Sequence, residues 1–140
     1  MRATPGRFAS AVAAVAVCAA AAAAGASTMA TPSVSLSVHQ VLRGRVLYIE
    51  GSRSFVRVTR PNGVAITRRL DQKQRAEFTL RPGRYRISSW QRPCDGNCGV
   101  VGPPTDRCSR AFAAPRGARL HATVSLYPGA GCRIAISRSK

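Results

Sequence analysis

The residues of this 140-residue chain best suited to chemistry are its cysteines. Beyond residue 26 they are Cys94, Cys98, Cys108 and Cys132, and an even number in a short exported chain is typical of disulfides. Four cysteines allow three pairings. The turn-forming Asp95-Gly96-Asn97 favours Cys94–Cys98 with Cys108–Cys132, while Cys94–Cys108 with Cys98–Cys132 remains the alternative.

The same segment contains side chains that resemble metal ligands. The cysteine spacings do not match a compact zinc motif, and exported thiols tend to oxidise. Asp95, Asn97 and Asp106 offer oxygen atoms, but three ligands are too few for calcium, which takes about six to eight. We therefore expect these residues to form turns, and we predict no metal and no cofactor.

Catalytic groups are sparse. The two histidines, His39 and His121, fall on outward positions of predicted strands, with no carboxylate close to either in sequence. The chain lacks the Gly-x-Ser-x-Gly motif of α/β-hydrolases, and its acids are too scattered to suggest a carboxylate pair. We therefore predict no catalytic residue and a protein that is not an enzyme. The acids are Glu50, Asp71, Glu77, Asp95 and Asp106.

Trp90, the only tryptophan, is the clearest candidate for binding. Alternation along its strand places Trp90 on the outer side with Arg84 and Arg86, and Arg92 follows two residues later. An exposed indole beside guanidinium groups can stack on a sugar or a base while the cations hold an anion. We predict a binding site at Trp90, Arg84, Arg86 and Arg92. The alternative is that the cysteine loop folds back and covers the tryptophan.

The charge of the chain is strongly basic. Lysine and arginine number 22, aspartate and glutamate 5, and the net charge is +17. Loss of Arg2 and Arg7 with a leader leaves 20 basic and 5 acidic residues, or +15. Such a surface attracts polyanions. We expect anionic cell-envelope polymers or another protein as the partner, because export argues against nucleic acid.

The N-terminus has the order of a secretory signal peptide: a short segment at 1–7 with two arginines, an apolar run to Ala24, and the small residues Ala24-Gly25-Ala26. A membrane anchor is the alternative, but the run is short and dominated by alanine. Lipoprotein processing at Cys18 is disfavoured by the bulky Val17. We predict a secreted protein with a signal peptide at 1–26, a mobile lead-in at 27–33, a domain at 34–137 and a basic tail at 138–140. No later apolar run is long enough to span a bilayer.

Two-residue alternation dominates the rest, and no segment has the 3.6-residue apolar period of a helix. This pattern predicts an all-β fold: a single antiparallel β-sandwich of about seven short strands with a disulfide-tied loop. Hairpins are predicted at Arg60–Gly63 and Arg81–Gly83, and exposed loops at 68–75 and 93–106. Nine segments have strand character, more than the seven or so strands of the predicted sandwich: 34–39, 45–49, 55–59, 64–67, 77–80, 84–90, 110–114, 119–126 and 132–137, of which 110–114 is weak.

Three segments between Arg43 and Ser89 carry a family resemblance. They read Arg43-Gly44-Arg45-Val46, then residues 56–63 (VRVTRPNG), then residues 78–87 (FTLRPGRYRI). They resemble the carboxypeptidase-regulatory-like, or transthyretin-like (prealbumin-like), β-sandwich modules of small secreted bacterial proteins. The resemblance covers about a third of the chain and excludes the cysteine loop. It implies a seven-stranded sandwich, Ig-like or prealbumin-like, used for folding support, adhesion or binding, and it implies no catalytic residue.

Two functions follow as expectations. The first is a secreted, non-enzymatic β-sandwich that binds a partner or the cell envelope through a basic surface. The alternative is a protease inhibitor or small secreted enzyme whose site is built from the Cys94–Cys108 loop. For an inhibitor, Arg92 or Arg107 would be the specificity residue.

Overall fold

The computed structural model describes residues 32–44, 51–94 and 98–139. The predicted leader, the strand predicted at 45–49 and the turn at 95–97 lie outside these residues. In the described chain eight strands form two four-stranded sheets, so the prediction of about seven strands was one too few. The strands are β1 (Val34–Leu42), β2 (Ser52–Thr59), β3 (Ala65–Arg69), β4 (Arg75–Leu80), β5 (Gly83–Pro93), β6 (Thr105–Ala114), β7 (Arg119–Tyr127) and β8 (Gly131–Arg138).

The two sheets have the strand orders β4-β1-β7-β8, here called sheet A, and β3-β2-β5-β6, here called sheet B. Neighbouring strands are antiparallel except β1 and β7, which are parallel. The prediction of a wholly antiparallel sandwich is therefore wrong at this pair. The reason is that β7 enters sheet A from β6 of the other sheet, so no tight turn forces it to run against β1.

The core is formed by the alternate residues of the strands, as the sequence predicts. Alternation turns inward the residues named at the end of this paragraph, and all of them are buried; Ile136, also inward by alternation, is half-buried and packs against the same cluster. The all-β, sandwich-like architecture is thus confirmed. The buried residues on the strands include Val34, Leu36, Val38, Val56, Val58, Phe78, Leu80, Tyr85, Ile87, Leu120, Ala122, Val124, Leu126 and Ile134.

The link between β4 and β5 differs from the prediction. A hairpin was expected across Arg81-Pro82-Gly83, but β4 pairs with β1, and β5 pairs with β2 and β6. The chain therefore crosses from one sheet to the other at this turn. The hydroxyl of Tyr85 donates a hydrogen bond to the carbonyl of Arg81 at 2.7 Å and holds the crossing. Either connection buries the same alternate residues, so the pattern of burial does not distinguish them.

Other predicted turns and loops can also be compared with the observed strand boundaries. The turn at Arg60–Gly63 does join an antiparallel hairpin, β2–β3, with Gly63 at a φ of 84°. The exposed loop predicted at 68–75 is shorter, because Arg68 and Arg69 belong to β3 and Leu70 is buried. The loop predicted at 93–106 ends earlier, since β6 begins at Thr105, five residues before its predicted start.

Both favoured disulfides are present: Cys94–Cys98, with Cα atoms 4.7 Å apart, and Cys108–Cys132, with Cα atoms 5.3 Å apart. The second joins β6 to β8, the edge strands at one side of the two sheets. Two disulfides indicate an oxidising compartment other than the cytoplasm. Among the described residues there is no helix of the length and apolarity that a membrane crossing requires.

Candidate functional site

Arginines are concentrated on the outer face of sheet B. The strand registers place seven of them on this side, and we call this surface the basic face. No described carboxylate lies on it: Asp71 is in the β3–β4 loop, Glu77 is on sheet A, and Asp106 accepts a hydrogen bond from the amide of Gly131 on β8. The seven arginines are Arg53, Arg57, Arg69, Arg84, Arg86, Arg92 and Arg107.

The outer face of sheet A has a different composition. Serine, threonine and histidine occupy about half of its outward positions, and the others include three arginines (Arg75, Arg119 and Arg133) and Glu77. The positive charge of the sandwich is therefore divided unequally between its two faces. Because an electrostatic field adds up over neighbouring charges, the basic face is the stronger anion attractor.

Trp90 lies on the basic face, where alternation predicts it, and is half-buried. Its ring stacks on Phe55, its cross-strand partner on β2, with centroids 5.8 Å apart and planes at 11°. The guanidinium carbon of Arg57 lies 5.3 Å from the centroid of the indole, a cation–π contact. The described part of the cysteine loop borders Trp90 through Pro104 and leaves part of the indole facing an open groove.

A β-bulge creates this groove. Ser89 pairs with Cys108, but Gln91 pairs with Thr105, so Trp90 faces two residues of β6. One of them, Asp106, has a left-handed φ of 47°. A bulge bends the strand and redirects its side chains. The resulting cavity, of about 620 Å³, is here called the Trp90 groove; it is lined by Arg57, Ser88, Ser89, Trp90, Arg92, Pro104, Arg107, Cys108 and Ser109.

Three guanidinium groups border the groove, and two are held in place. The Nε of Arg57 donates to Thr67 Oγ1 at 3.0 Å. The Nε of Arg92 donates to the carbonyl of Gly102 at 2.8 Å, and its Nη2 to that of Val101 at 3.4 Å. Arg107 has no hydrogen-bond partner in the described chain. The groups left to bind an anion are thus both Nη atoms of Arg57, Nη1 of Arg92 and the whole guanidinium of Arg107.

The structure separates the predicted binding residues into two groups. Trp90 and Arg92 line the groove together, whereas Arg84 and Arg86 lie elsewhere on the basic face. Arg86 donates from Nη1 to Ser109 Oγ at 3.3 Å, and Arg84 lines a separate depression beside Pro61.

Sequence reasoning missed Arg57 and assigned Arg107 only to an inhibitor loop. Alternation along β2 predicts that Phe55 and Arg57 point outward. The register that sets these residues beside Trp90 was not.

A second cluster lies on sheet A, where β1 and β7 bring Ser37 Oγ within hydrogen-bonding distance of His121 Nδ1. Glu77 is the cross-strand partner of Ser37 on the opposite side, in β4. A serine-hydrolase triad needs the histidine between serine and acid, but here the serine is in the middle. Glu77 and His121 are two strand spacings apart, about 10 Å. The central strands also commit their amides to the ladders, which leaves no oxyanion donors.

Both histidines are exposed, as predicted, and neither belongs to a metal-binding cluster. Within the described ranges no three His, Cys, Asp or Glu side chains are arranged to hold a metal ion. Of the predicted oxygen ligands, Asp106 is hydrogen-bonded to Gly131, while Asp95 and Asn97 lie outside the described residues.

The predicted inhibitor residues also have defined positions. Arg92 is in β5 and Arg107 is in β6, so neither is at the tip of a protruding loop. Arg92 is half-buried, and two of its nitrogens are bonded to backbone carbonyls.

Comparisons of the chain with protein-family models, with curated proteins and with solved structures found no match.

Proposed function

We propose that this protein is a secreted, non-enzymatic β-sandwich module that binds anionic polymers of the cell envelope through the basic face. The observation that carries the proposal is the unequal distribution of charge: seven arginines and no described carboxylate on the outer face of sheet B. Arginine binds carboxylate, sulfate and phosphate with paired hydrogen bonds. A flat array of such groups suits a long, repetitive anion.

Secretion is part of this proposal. Its support is the basic, apolar and small-residue order of residues 1–26, together with two disulfides that need an oxidising compartment. A polymer outside the cytoplasm would then be the anion that the basic face meets.

We also propose that the sandwich is of the transthyretin-like type. Its support is the pair of four-stranded sheets, with the orders β4-β1-β7-β8 and β3-β2-β5-β6, together with the sequence segments that carry the resemblance. The matching residues 56–63 and 78–87 lie in β2, β4, β5 and their turns. A fold of this kind offers two broad sheet faces for binding and needs no catalytic centre.

A pair of charge-reversal variants tests the function. Arg84→Glu with Arg86→Glu changes the basic face, and Arg119→Glu with Arg133→Glu makes the same change of charge on sheet A. All four side chains are exposed and lie on strands, so both variants are expected to fold. The measurement is the salt concentration that elutes each protein from heparin and from immobilised polyphosphate.

We expect the basic-face variant to elute at clearly lower salt than the sheet A variant, because neighbouring cations act together on a bound chain. Retention of the unmodified protein should fall as salt shortens the Debye length to about 3 Å at 1 M. Equal elution of the two variants would mean that net charge alone is responsible. No retention of the unmodified protein on either polymer would reject the proposed function.

A further inference from the structure

We propose that the Trp90 groove binds a single acidic sugar unit, a pyranose ring carrying a carboxylate or a sulfate. The ring stacks on Trp90, and Arg57, Arg92 and Arg107 hold the acidic group. This inference rests on the proposed function and extends it, because it names the chemistry that one position of the polymer must have.

The indole provides the apolar half of the site. Phe55 stacks on Trp90 but is absent from the groove lining, so the indole surface that Phe55 covers is turned away from the groove. Of the remaining surface, part contacts the guanidinium of Arg57 and the rest borders the cavity. A pyranose ring has a face of C–H bonds that packs on such a surface, whereas a linear polyphosphate has none.

The guanidinium groups provide the charged half. Because Thr67 and two backbone carbonyls hold Arg57 and Arg92 in place, these side chains lose less conformational entropy when they bind. Arg107, with no partner in the described chain, is able to swing onto the acidic group. Charge-assisted hydrogen bonds of this kind are the strong ones in proteins.

The groove has room for a sugar unit, and its polar groups suit one. Its volume of about 620 Å³ lies within the usual range of small-ligand sites. Ser88 and Ser109 line it and provide hydroxyl groups for the remaining sugar oxygens. A few placed polar groups beside an apolar surface are what gives such sites their specificity.

The groove fits a saccharide better than a single-stranded nucleic acid. Nucleic-acid channels stack successive bases on several aromatic side chains along a cationic path. Trp90 is the only aromatic residue among those that line this groove. The disulfides also indicate an oxidising compartment, where nucleic acid is not the usual partner.

Fluorescence titration tests the inference directly, because Trp90 is the only tryptophan of the chain and its emission reports on the groove. The probes are a hexamer of galacturonic acid, a polyphosphate of equal charge, a neutral maltohexaose and hexathymidylate. We expect a saturable change in emission with the uronate and tighter binding of it than of the other three. In Trp90→Leu, measured by calorimetry, uronate affinity should fall about tenfold, the loss typical of one stacking partner, and polyphosphate affinity less than twofold.

Trp90→Leu also removes contacts with Phe55 and Arg57, so a second variant keeps the test independent of folding. Arg107→Gln removes a side chain without a described partner, and Arg116→Gln, in the exposed β6–β7 turn, is its matched control. Arg107→Gln should weaken uronate binding about tenfold, and Arg116→Gln less than twofold.

Three results would overturn the inference. The first is that Trp90→Leu loses uronate and polyphosphate affinity equally. The second is that hexathymidylate binds more tightly than the uronate. The third is that Arg107→Gln and Arg116→Gln change uronate affinity equally. Each of these leaves salt-dependent retention by the basic face intact, so the inference can fail while the proposed function stands.

Discussion

Gly51, the residue before β2, lies against the Cys94–Cys98 disulfide that follows β5. Its φ is 124°, a conformation that side chains disfavour, and a Cβ atom built there would lie 3.2 Å from Cys94 Sγ and 3.3 Å from Cys98 Sγ. The amide of Cys94 also donates to the carbonyl of Gly51 at 3.1 Å. Only glycine allows the backbone to approach the small disulfide this closely.

We therefore expect Gly51→Ala to lower the free energy of unfolding more than Gly117→Ala. Gly117 also has a positive φ, 69°, but a Cβ atom added there would have nothing within 4 Å, so this control shows the cost of a left-handed backbone without a contact. That cost is about 1 kcal/mol, and contact with the disulfide should add about 1–2 kcal/mol at Gly51. Urea unfolding midpoints measure both. Equal losses would show that the Cys94–Cys98 disulfide moves freely away from the new methyl group.

At the scale of the elements, the edges of the two sheets are secured differently on the two sides. On one side Cys108–Cys132 links β6 to β8, and Arg110, at an inward position of β6, donates from Nη1 to the carbonyl of Ile134 at 2.9 Å. On the other side no disulfide links β3 to β4. Arg68, at an inward position of β3, has its guanidinium carbon 5.6 Å from the centroid of the Phe78 ring on β4. Charged side chains at open edges also oppose pairing with another sheet.

Removal of Cys108–Cys132 should therefore cost more stability than removal of Cys94–Cys98. Their sequence separations are 24 and 4 residues, and loop-closure entropy gives about 3 kcal/mol for the larger and about 2 kcal/mol for the smaller. The paired variants Cys108→Ala with Cys132→Ala and Cys94→Ala with Cys98→Ala, unfolded in urea, give the comparison. A larger loss from the smaller loop would contradict this account and place the greater constraint at the Gly51 contact.

At the scale of the whole molecule, the arginines that attract anions also repel one another. Seven arginines share one sheet face, and the folded state holds them closer together than the unfolded chain does. Screening by salt should reduce this repulsion.

We expect the urea unfolding midpoint to rise as sodium chloride increases from about 0.1 M to about 1 M, where the Debye length falls from about 10 Å to about 3 Å. The rise should be smaller in the Arg84→Glu, Arg86→Glu variant than in the Arg119→Glu, Arg133→Glu variant, because only the former relieves the crowded face. Identical salt dependence in the two variants would place the repulsion elsewhere.

The sequence alone determined everything that depends on local alternation and turn chemistry. Alternation identified the inward residues, the outward Arg84 and Arg86, and the outer position of Trp90. The turn formers between Cys94 and Cys98 favoured the disulfide that is present. These features were predictable because a strand turns successive side chains to opposite faces, whatever its neighbours are.

Only the tertiary structure decided which strands are neighbours. The Arg81–Gly83 turn reverses the chain equally well in a hairpin and between sheets, so β4 was assigned to the wrong partner. The pairing of β2 with β5 places Arg57 beside Trp90, and the bulge in β6 opens the groove at Arg107. Strand partners and register arise from contacts between residues far apart in the chain. Periodicity within one segment therefore predicts the face on which a residue lies, but not the residues beside it.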